Sequence, residues 1–97
     1  MLGVVLHPEA VAEALAAKAW YQERSLRAAQ AFVRELGRVM EQLQASPLRW
    51  PAGAHGMRRI LLRRFPFGIV YRLTPATIQV IAVMHLHRRP GYWKRRG

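Results

Sequence analysis

The chain has 97 residues, of which 52% are hydrophobic, and it carries a formal net charge of +11 at pH 7. This length and apolar content predict one packed domain over residues 1–97 and argue against wholesale disorder. Because the chain has no cysteine, disulfide bonds and cysteine-ligated metal centres are excluded. The start does not resemble a secretory leader, and no apolar run approaches the roughly 20 residues of a membrane span, which predicts a soluble, cytoplasmic protein.

The positive charge is confined to the second half of the sequence. Residues 1–41 hold all five acidic residues and five basic ones, whereas residues 42–97 hold eleven arginines and lysines and no acid. A surplus of this size repels itself in a compact fold, which predicts an anionic partner: a nucleic acid, an acidic protein, or each in turn. A generically basic protein is the alternative, but it leaves the absence of acids after Glu41 unexplained.

The first elements are predicted to be a strand and two helices. The β-branched run LGVVLH (residues 2–7) predicts a strand, and Pro8 suits the first turn of a helix that extends to about Glu23. Ser25 is a suitable N-cap for a second helix, whose apolar residues recur every three or four positions until Pro47 ends it. Helices joined by so few residues form an antiparallel hairpin.

The second half is predicted to hold a loop followed by three short strands. Residues 48–56 contain prolines and glycines and form the loop, and the strands follow at residues 57–65, 67–73 and 77–86. Their connections are short, so they form an antiparallel meander, and the last strand is central because it is apolar on both faces. The order β-α-α-β-β-β predicts an α+β fold with the helical hairpin packed on one face of a small, mostly antiparallel sheet. The other face, and the chain end beyond His85, would carry the arginines.

The residue content of the sheet half excludes several kinds of active site. It has no carboxylate for paired acid–base catalysis, and its few hydroxyls are predicted to lie away from histidine, which argues against a serine triad. It also has no glycine-rich phosphate loop. His85 and His87 could bind a metal from one side of a strand, but only two other histidines could complete the site, so we expect no metal and no other cofactor.

The remaining candidates are basic and aromatic. His85 and His87 lie among arginines and are candidate acids or bases; the alternative is that they only cap the strand and face solvent. Arginines on neighbouring strands can converge on phosphate, because a guanidinium pairs with it in a fork. The arginines predicted for this patch are Arg63, Arg64, Arg72, Arg88 and Arg89.

Two aromatic residues, Tyr92 and Trp93, follow the sequence RRPG. Aromatic side chains among bases can stack on nucleobases. The alternative is that they fold back on the core and hold the C-terminus. Packing is favoured for Trp93, and both interpretations stay open for Tyr92.

Several segments resemble the RelE/ParE superfamily of type II toxin–antitoxin toxins. They are HPEA (residues 7–10), WYQERS (20–25), SPLRWP (46–51), RRFPFGIVYR (63–72) and IQVIAVMHLHRRPGYW (78–93). The resemblance covers nearly the whole chain and implies a microbial-RNase-like α+β fold. It also implies a bacterial, cytoplasmic toxin that arrests growth and is neutralised by a cognate antitoxin, whose flexible, acidic segment wraps the toxin.

Within this superfamily the resemblance leaves two mechanisms open. RelE-like members cleave mRNA on the ribosome and have an arginine at the position of Gly68, whereas ParE-like members lack the RNase residues and poison DNA gyrase. Gly68 favours the ParE-like mechanism, and the cluster at the end of the last strand favours the RelE-like one. We expect the RelE-like mechanism, a metal-independent endoribonuclease, with gyrase inhibition as the alternative and a non-toxic nucleic-acid-binding domain as a third. The catalytic residues would be His85, His87, Arg88 and Tyr92, and the anion-binding ones Arg63, Arg64, Arg72 and Arg89.

Overall fold

Residues 2–96 of the chain are described by a computed structural model and form two long helices and a four-stranded sheet. The elements are β1 (Gly3–Leu6), α1 (Pro8–Arg24), α2 (Leu26–Ala45), a 3-10 turn (Ala54–Gly56), β2 (Arg58–Leu61), β3 (Phe67–Leu73) and β4 (Thr77–His85). This order confirms the predicted β-α-α-β-β-β arrangement of an α+β fold.

Local capping sets the limits of both helices. The Nδ1 atom of His7 accepts the Glu9 amide at 3.0 Å and so caps the first turn of α1. Ser25 is the predicted N-cap of α2, and its hydroxyl accepts the Ala28 amide at 3.2 Å. The Ser25 amide also donates to the Tyr21 carbonyl at 2.7 Å. One residue therefore ends α1 and begins α2, which makes the helical hairpin tight.

The four strands form one mixed sheet in the order β1-β4-β3-β2. β1 pairs with β4 in parallel, whereas β4 with β3 and β3 with β2 are antiparallel. β4 is therefore interior, and its residues from Ile78 to Met84 are buried except Gln79. This confirms the prediction of a central last strand that is covered on both faces.

β2 ends at Leu61, earlier than predicted. Arg64 adopts a φ of 68°, in the left-handed region that a strand does not use. The Arg63 amide donates to the Glu35 carboxylate of α2 at 2.5 Å instead of to a neighbouring strand. Residues 62–66 are therefore a connection tied to α2, and both arginines lie in it and not on a strand.

The helices pack on one face of the sheet and enclose the larger part of the core. Burying one large apolar side chain stabilises the fold by roughly 1.5–3 kcal/mol. The buried Tyr71 hydroxyl donates to the Pro47 carbonyl at 2.6 Å, so this polar group is paired and the chain after α2 is held to the sheet. The largest buried side chains on this face are Phe32, Val39, Leu43, Ile69, Tyr71, Ile78 and Val80.

The opposite face of the sheet is also apolar at its centre, and residues 86–96, which we call the C-terminal segment, cover it with Tyr92 and Trp93. The prediction that this face would carry the arginines is wrong there. Because β4 is apolar on both faces, both faces have to be kept from water. The covered side chains are Met57, Val70, Ile81, Ala82 and Met84.

Candidate functional site

His85 and His87 lie together at the end of β4, but not as predicted from strand alternation. β4 ends at His85, and the chain then turns. The His87 amide donates to Nδ1 of His85 at 3.1 Å, and the two ring centroids are 5.0 Å apart. The His85 ring also meets the Phe67 ring edge-on, with centroids 5.0 Å apart. In this geometry Nδ1 of His85 is already an acceptor, so Nε2 is the nitrogen left for other partners.

Arg88 is held beside the histidines by its backbone and its side chain. Its amide donates to the His85 carbonyl at 3.0 Å, and its guanidinium lies 4.0 Å from the centroid of the Tyr92 ring. A cation over an aromatic face is an attractive arrangement. Arg89 is exposed next to it, and its carbonyl accepts the Tyr92 amide at 3.3 Å.

Arg63 and Arg64 lie at the same end of the sheet as the histidines. Phe67 pairs with His85, and the Leu86 amide donates to the Pro66 carbonyl at 2.9 Å. The connection that carries both arginines therefore runs beside the end of β4, and both side chains are exposed.

Arg72 is not brought to this end. It lies five residues beyond Phe67 along β3, opposite Gln79, which is a separation of about 16 Å along a strand. Its Nε donates to the Gln79 side chain at 2.7 Å. Four of the five arginines predicted to converge thus share one end of the sheet, and Arg72 does not share it.

Tyr92 is tied to the first helix, and the structure gives its hydroxyl a defined partner. The hydroxyl donates to Oε2 of Glu13 at 2.6 Å. Burial, together with this hydrogen bond to a carboxylate, raises the pKa of Tyr92, so the phenol stays protonated. The structure therefore favours packing over base stacking for this residue.

Glu13 accepts hydrogen bonds from three residues, one on β4 and two in the C-terminal segment. Besides Tyr92, it accepts the Val83 amide at 3.0 Å and the Arg96 guanidinium at 2.7 and 3.1 Å. Burial raises the pKa of Glu13, but these hydrogen bonds outweigh burial and hold the pKa below its ordinary value. The carboxylate is therefore charged and fully engaged.

Sequence reasoning missed Glu13, although one signal was present. Ala10, Glu13 and Ala17 lie three and four residues apart, so they share one face of α1. Both alanines are buried. A single acid on a buried helix face requires a partner, and this could have been noticed. Its partner Arg96, in the final KRRG, could not have been identified from that pattern.

A groove of about 380 Å³ opens between α1 and the adjoining ends of β3 and β4. Trp20, at its mouth, is half exposed, and the Arg24 guanidinium lies 3.6 Å from the centroid of its ring. The lining includes Ala16, Trp20, Tyr21, Phe67, His85 and Arg88.

Gly68 occupies a position where a side chain would make tight contacts with the neighbouring strand. It is buried in β3, and a Cβ there would lie 3.2 Å from the Leu61 side chain and 3.3 Å from the Ile60 carbonyl oxygen. Both neighbours belong to β2, which pairs with this part of β3. The two backbones therefore approach closely, and a larger residue would require the Leu61 side chain and the Ile60 carbonyl to shift.

The groups gathered at this end of the sheet are imidazoles, guanidinium groups and one phenol. Across residues 2–96, no three His, Asp or Glu side chains are placed to hold a metal ion. Two carboxylates reach residues of the site, Glu13 and Glu35, and both are engaged by hydrogen-bond donors. What remains is a pair of imidazoles and a set of exposed guanidinium groups at one end of the sheet.

Comparisons with known proteins agree with this architecture. A family model described as the ParE toxin of the type II toxin–antitoxin system parDE matches residues 4–90. The chain is also similar in fold to a solved structure of a chromosomal ParDE system from P. aeruginosa, with a TM-score of 0.71 and 22% identity over 90% of this chain and 98% of that one. No curated protein matches the chain.

The match to the family model extends from β1 to the turn that follows β4, so it includes both helices and every strand named above. Within residues 2–96, no helix is long and apolar enough to cross a membrane. The chain belongs to the ParE family of toxins of type II toxin–antitoxin systems.

Proposed function

We propose that this toxin arrests growth by binding DNA gyrase, without chemistry of its own. The observation that carries this proposal is Gly68, because RelE-like RNases resemble this chain but have an arginine at that position. An added Cβ would already meet Leu61 at 3.2 Å and the Ile60 carbonyl at 3.3 Å, and an arginine is far larger. This chain therefore lacks one RNase residue, and the Leu61 side chain and the Ile60 carbonyl would have to shift to accommodate it.

The hydroxyl of Tyr92 further supports a binding mechanism. A RelE-like enzyme would use this tyrosine to position a base of the mRNA. Here the hydroxyl donates a hydrogen bond to Glu13 at 2.6 Å, and the Arg88 guanidinium lies over the face of the ring. Both the edge and the face of the ring already have protein partners.

The surface that we propose to contact gyrase is the basic end of the sheet. It consists of the C-terminal segment and the connection at residues 62–66. Its exposed arginines include Arg63, Arg64, Arg88 and Arg89. Arg72 lies about 16 Å away along β3, so we propose no contact with the target for it.

The partner that neutralises the toxin is proposed to be a cognate antitoxin with an acidic, partly disordered segment. Residues 42–97 carry eleven positive charges and no negative one, which favours an acidic partner by charge complementarity. A segment that orders on binding can wrap a surface of this kind. Both partners would meet in the bacterial cytoplasm.

RelE-like mRNA cleavage is the second candidate, and one observation favours it. The ring centroids of His85 and His87 lie 5.0 Å apart, and the Arg88 backbone amide donates to the His85 carbonyl. An acid–base pair beside a phosphate-binding arginine is a possible centre for metal-independent RNA cleavage.

Pulse labelling separates the two candidates. After induction of the gene alone in a bacterial host, methionine and thymidine incorporation would be followed over the first minutes. We expect thymidine incorporation to fall first, together with inhibition of purified gyrase in a supercoiling assay. An early fall in methionine incorporation, with gyrase unaffected, would overturn the proposal and favour the RNase.

A further inference from the structure

We propose that Glu13 is a positioning residue that holds the C-terminal segment in the conformation in which the toxin acts. The inference rests on the proposed function in one respect, namely that the C-terminal segment contacts the target. It goes beyond that function because Glu13 lies on α1, outside the proposed contact surface, and would act on that surface only by holding the C-terminal segment.

The first observation is that the C-terminal segment has few backbone attachments of its own. The amides of Arg88, Tyr92, Lys94 and Arg96 each bond to a carbonyl three residues earlier. These bonds shape a series of turns, and among the described residues only the Leu86 amide, which donates to the Pro66 carbonyl at 2.9 Å, fastens the start of the segment to the connection before β3. Side chains have to fasten the segment, and they do so in two places. Trp93 packs on the sheet face, and Glu13 receives the Tyr92 hydroxyl and the Arg96 guanidinium.

The second observation concerns the open edge of β4. β1 pairs with β4 only as far as Val80, so the edge of β4 beyond that residue has no neighbouring strand. The pairing of β4 with β3 skips Ile81, and at this bulge the Ile81 carbonyl and the Val83 amide both face the open edge. Glu13 accepts the Val83 amide at 3.0 Å, and Arg96 donates to the Ile81 carbonyl at 3.2 Å. The Glu13–Arg96 pair thus takes the place of the missing strand.

The third observation connects Glu13 to the proposed contact surface. Glu13 holds the Tyr92 hydroxyl, and the Tyr92 ring supports the Arg88 guanidinium at 4.0 Å. The Arg96 guanidinium also lies 5.0 Å from the centroid of the same ring. Loss of the carboxylate would free Tyr92 and Arg96 together, and Arg88 would lose its fixed support.

The test uses the full chain with Glu13→Gln, which keeps the size of the side chain and removes its charge, and Tyr92→Phe, which keeps the ring and removes one donor. Two controls are available. Glu41→Gln removes an exposed charge from α2. Glu35→Gln alters the other carboxylate that binds an arginine and a backbone amide, in this case Arg38 and the Arg63 amide.

Two readouts are needed. One is the rate of tryptic cleavage after Lys94, an exposed residue inside the segment, compared with hydrogen exchange in α2 and β3. The other is the amount of toxin needed to arrest growth. We expect Glu13→Gln to speed cleavage by about tenfold and to raise the required dose by a similar factor, with α2 and β3 still protected. Tyr92→Phe should act in the same direction with a smaller effect.

The two controls separate the loss of Glu13 from a general effect of removing a carboxylate. Neither Glu41→Gln nor Glu35→Gln should speed cleavage after Lys94, and Glu41→Gln should also arrest growth at the wild-type dose. The inference is overturned if the segment of Glu13→Gln stays as resistant as in wild type. It is equally overturned if the segment loosens and the required dose is unchanged, or if α2 and β3 lose protection by as large a factor as the segment does. Because growth arrest is measured without reference to the target, a wild-type toxin that leaves gyrase active would contradict the proposed function alone.

Discussion

Arg96 forms a bidentate ion pair with Glu13, with nitrogen–oxygen distances of 2.7 and 3.1 Å. The two residues are 83 positions apart in sequence, and both side chains are about 85% buried. The pair joins the end of the described chain to its first helix. The basic sequence at the C-terminus is therefore a structural element, and its last described arginine is an anchor.

Removing this anchor should destabilise the fold. We expect Arg96→Gln to lower the free energy of unfolding by about 1–3 kcal/mol, because it leaves a mostly buried carboxylate with fewer donors. Arg95→Gln is the matched control, since Arg95 is exposed and its loss should change stability by no more than about 0.5 kcal/mol. Chemical denaturation of both variants measures the difference. Equal stabilities would show that the ion pair is unimportant for folding.

Stability should fall at acidic pH, and Glu35 should account for part of the fall. The side-chain hydrogen bonds from Arg38, joined by the Arg63 amide, lower the pKa of Glu35 from 4.5 to about 2 despite its burial. A carboxyl whose pKa is lower in the folded state stabilises the fold above its unfolded pKa, and that contribution is lost as the pH falls towards the folded pKa. The window is therefore between pH 4.5 and about 2.

The measurement is the melting temperature against pH, for wild type and for Glu35→Gln. The variant lacks the titrating group, so its melting temperature should decline less steeply in that window. Glu41→Gln removes an exposed carboxyl and should keep the wild-type slope. If Glu35→Gln and wild type decline in parallel, the Glu35 carboxyl does not couple to folding.

Substitution by alanine should change the stability of the fold in opposite directions at two glycines. Gly68→Ala should destabilise the fold by about 1–3 kcal/mol, because its Cβ would press on the Ile60 backbone. Gly37 is exposed within α2, and a Cβ there would meet nothing within 4 Å. Gly37→Ala should therefore stabilise the fold by up to about 1 kcal/mol, since alanine favours a helix. Thermal unfolding of both variants tests the pair, and a stabilised Gly68→Ala would mean that β2 yields easily.

Substitution of the histidines should separate binding from catalysis. If the toxin acts by binding, His85→Ala and His87→Ala should each change the dose that arrests growth by less than about tenfold, because most interface residues contribute little individually. Loss of a general acid or base lowers a rate by about 10²–10⁴. Dose–response curves after induction distinguish the two ranges. If a folded variant needs a dose a hundredfold or more above that of wild type, the RNase mechanism is favoured over gyrase binding.

Local pattern was sufficient for most of the architecture. The spacing of apolar residues placed both helices, and Ser25 marked their junction, because capping depends on neighbours within one turn. The uniformly apolar stretch from Val80 to Met84 identified the central strand for a similar reason. Family motifs added the superfamily of toxins, and the match over residues 4–90 confirmed it.

What the sequence could not determine was which distant side chains meet. Glu13 and Arg96 form a pair because α1 crosses the sheet beside the open edge of β4, and that geometry depends on how the elements pack. Arg72 looked like a member of the arginine patch until the register of β3 placed it at the far end. The sequence by itself determined the elements, the core and the charge, because each depends on neighbouring residues or on composition. Only the tertiary structure decided which charges are engaged and which are presented to a partner, because contacts across 83 residues follow from packing and not from spacing.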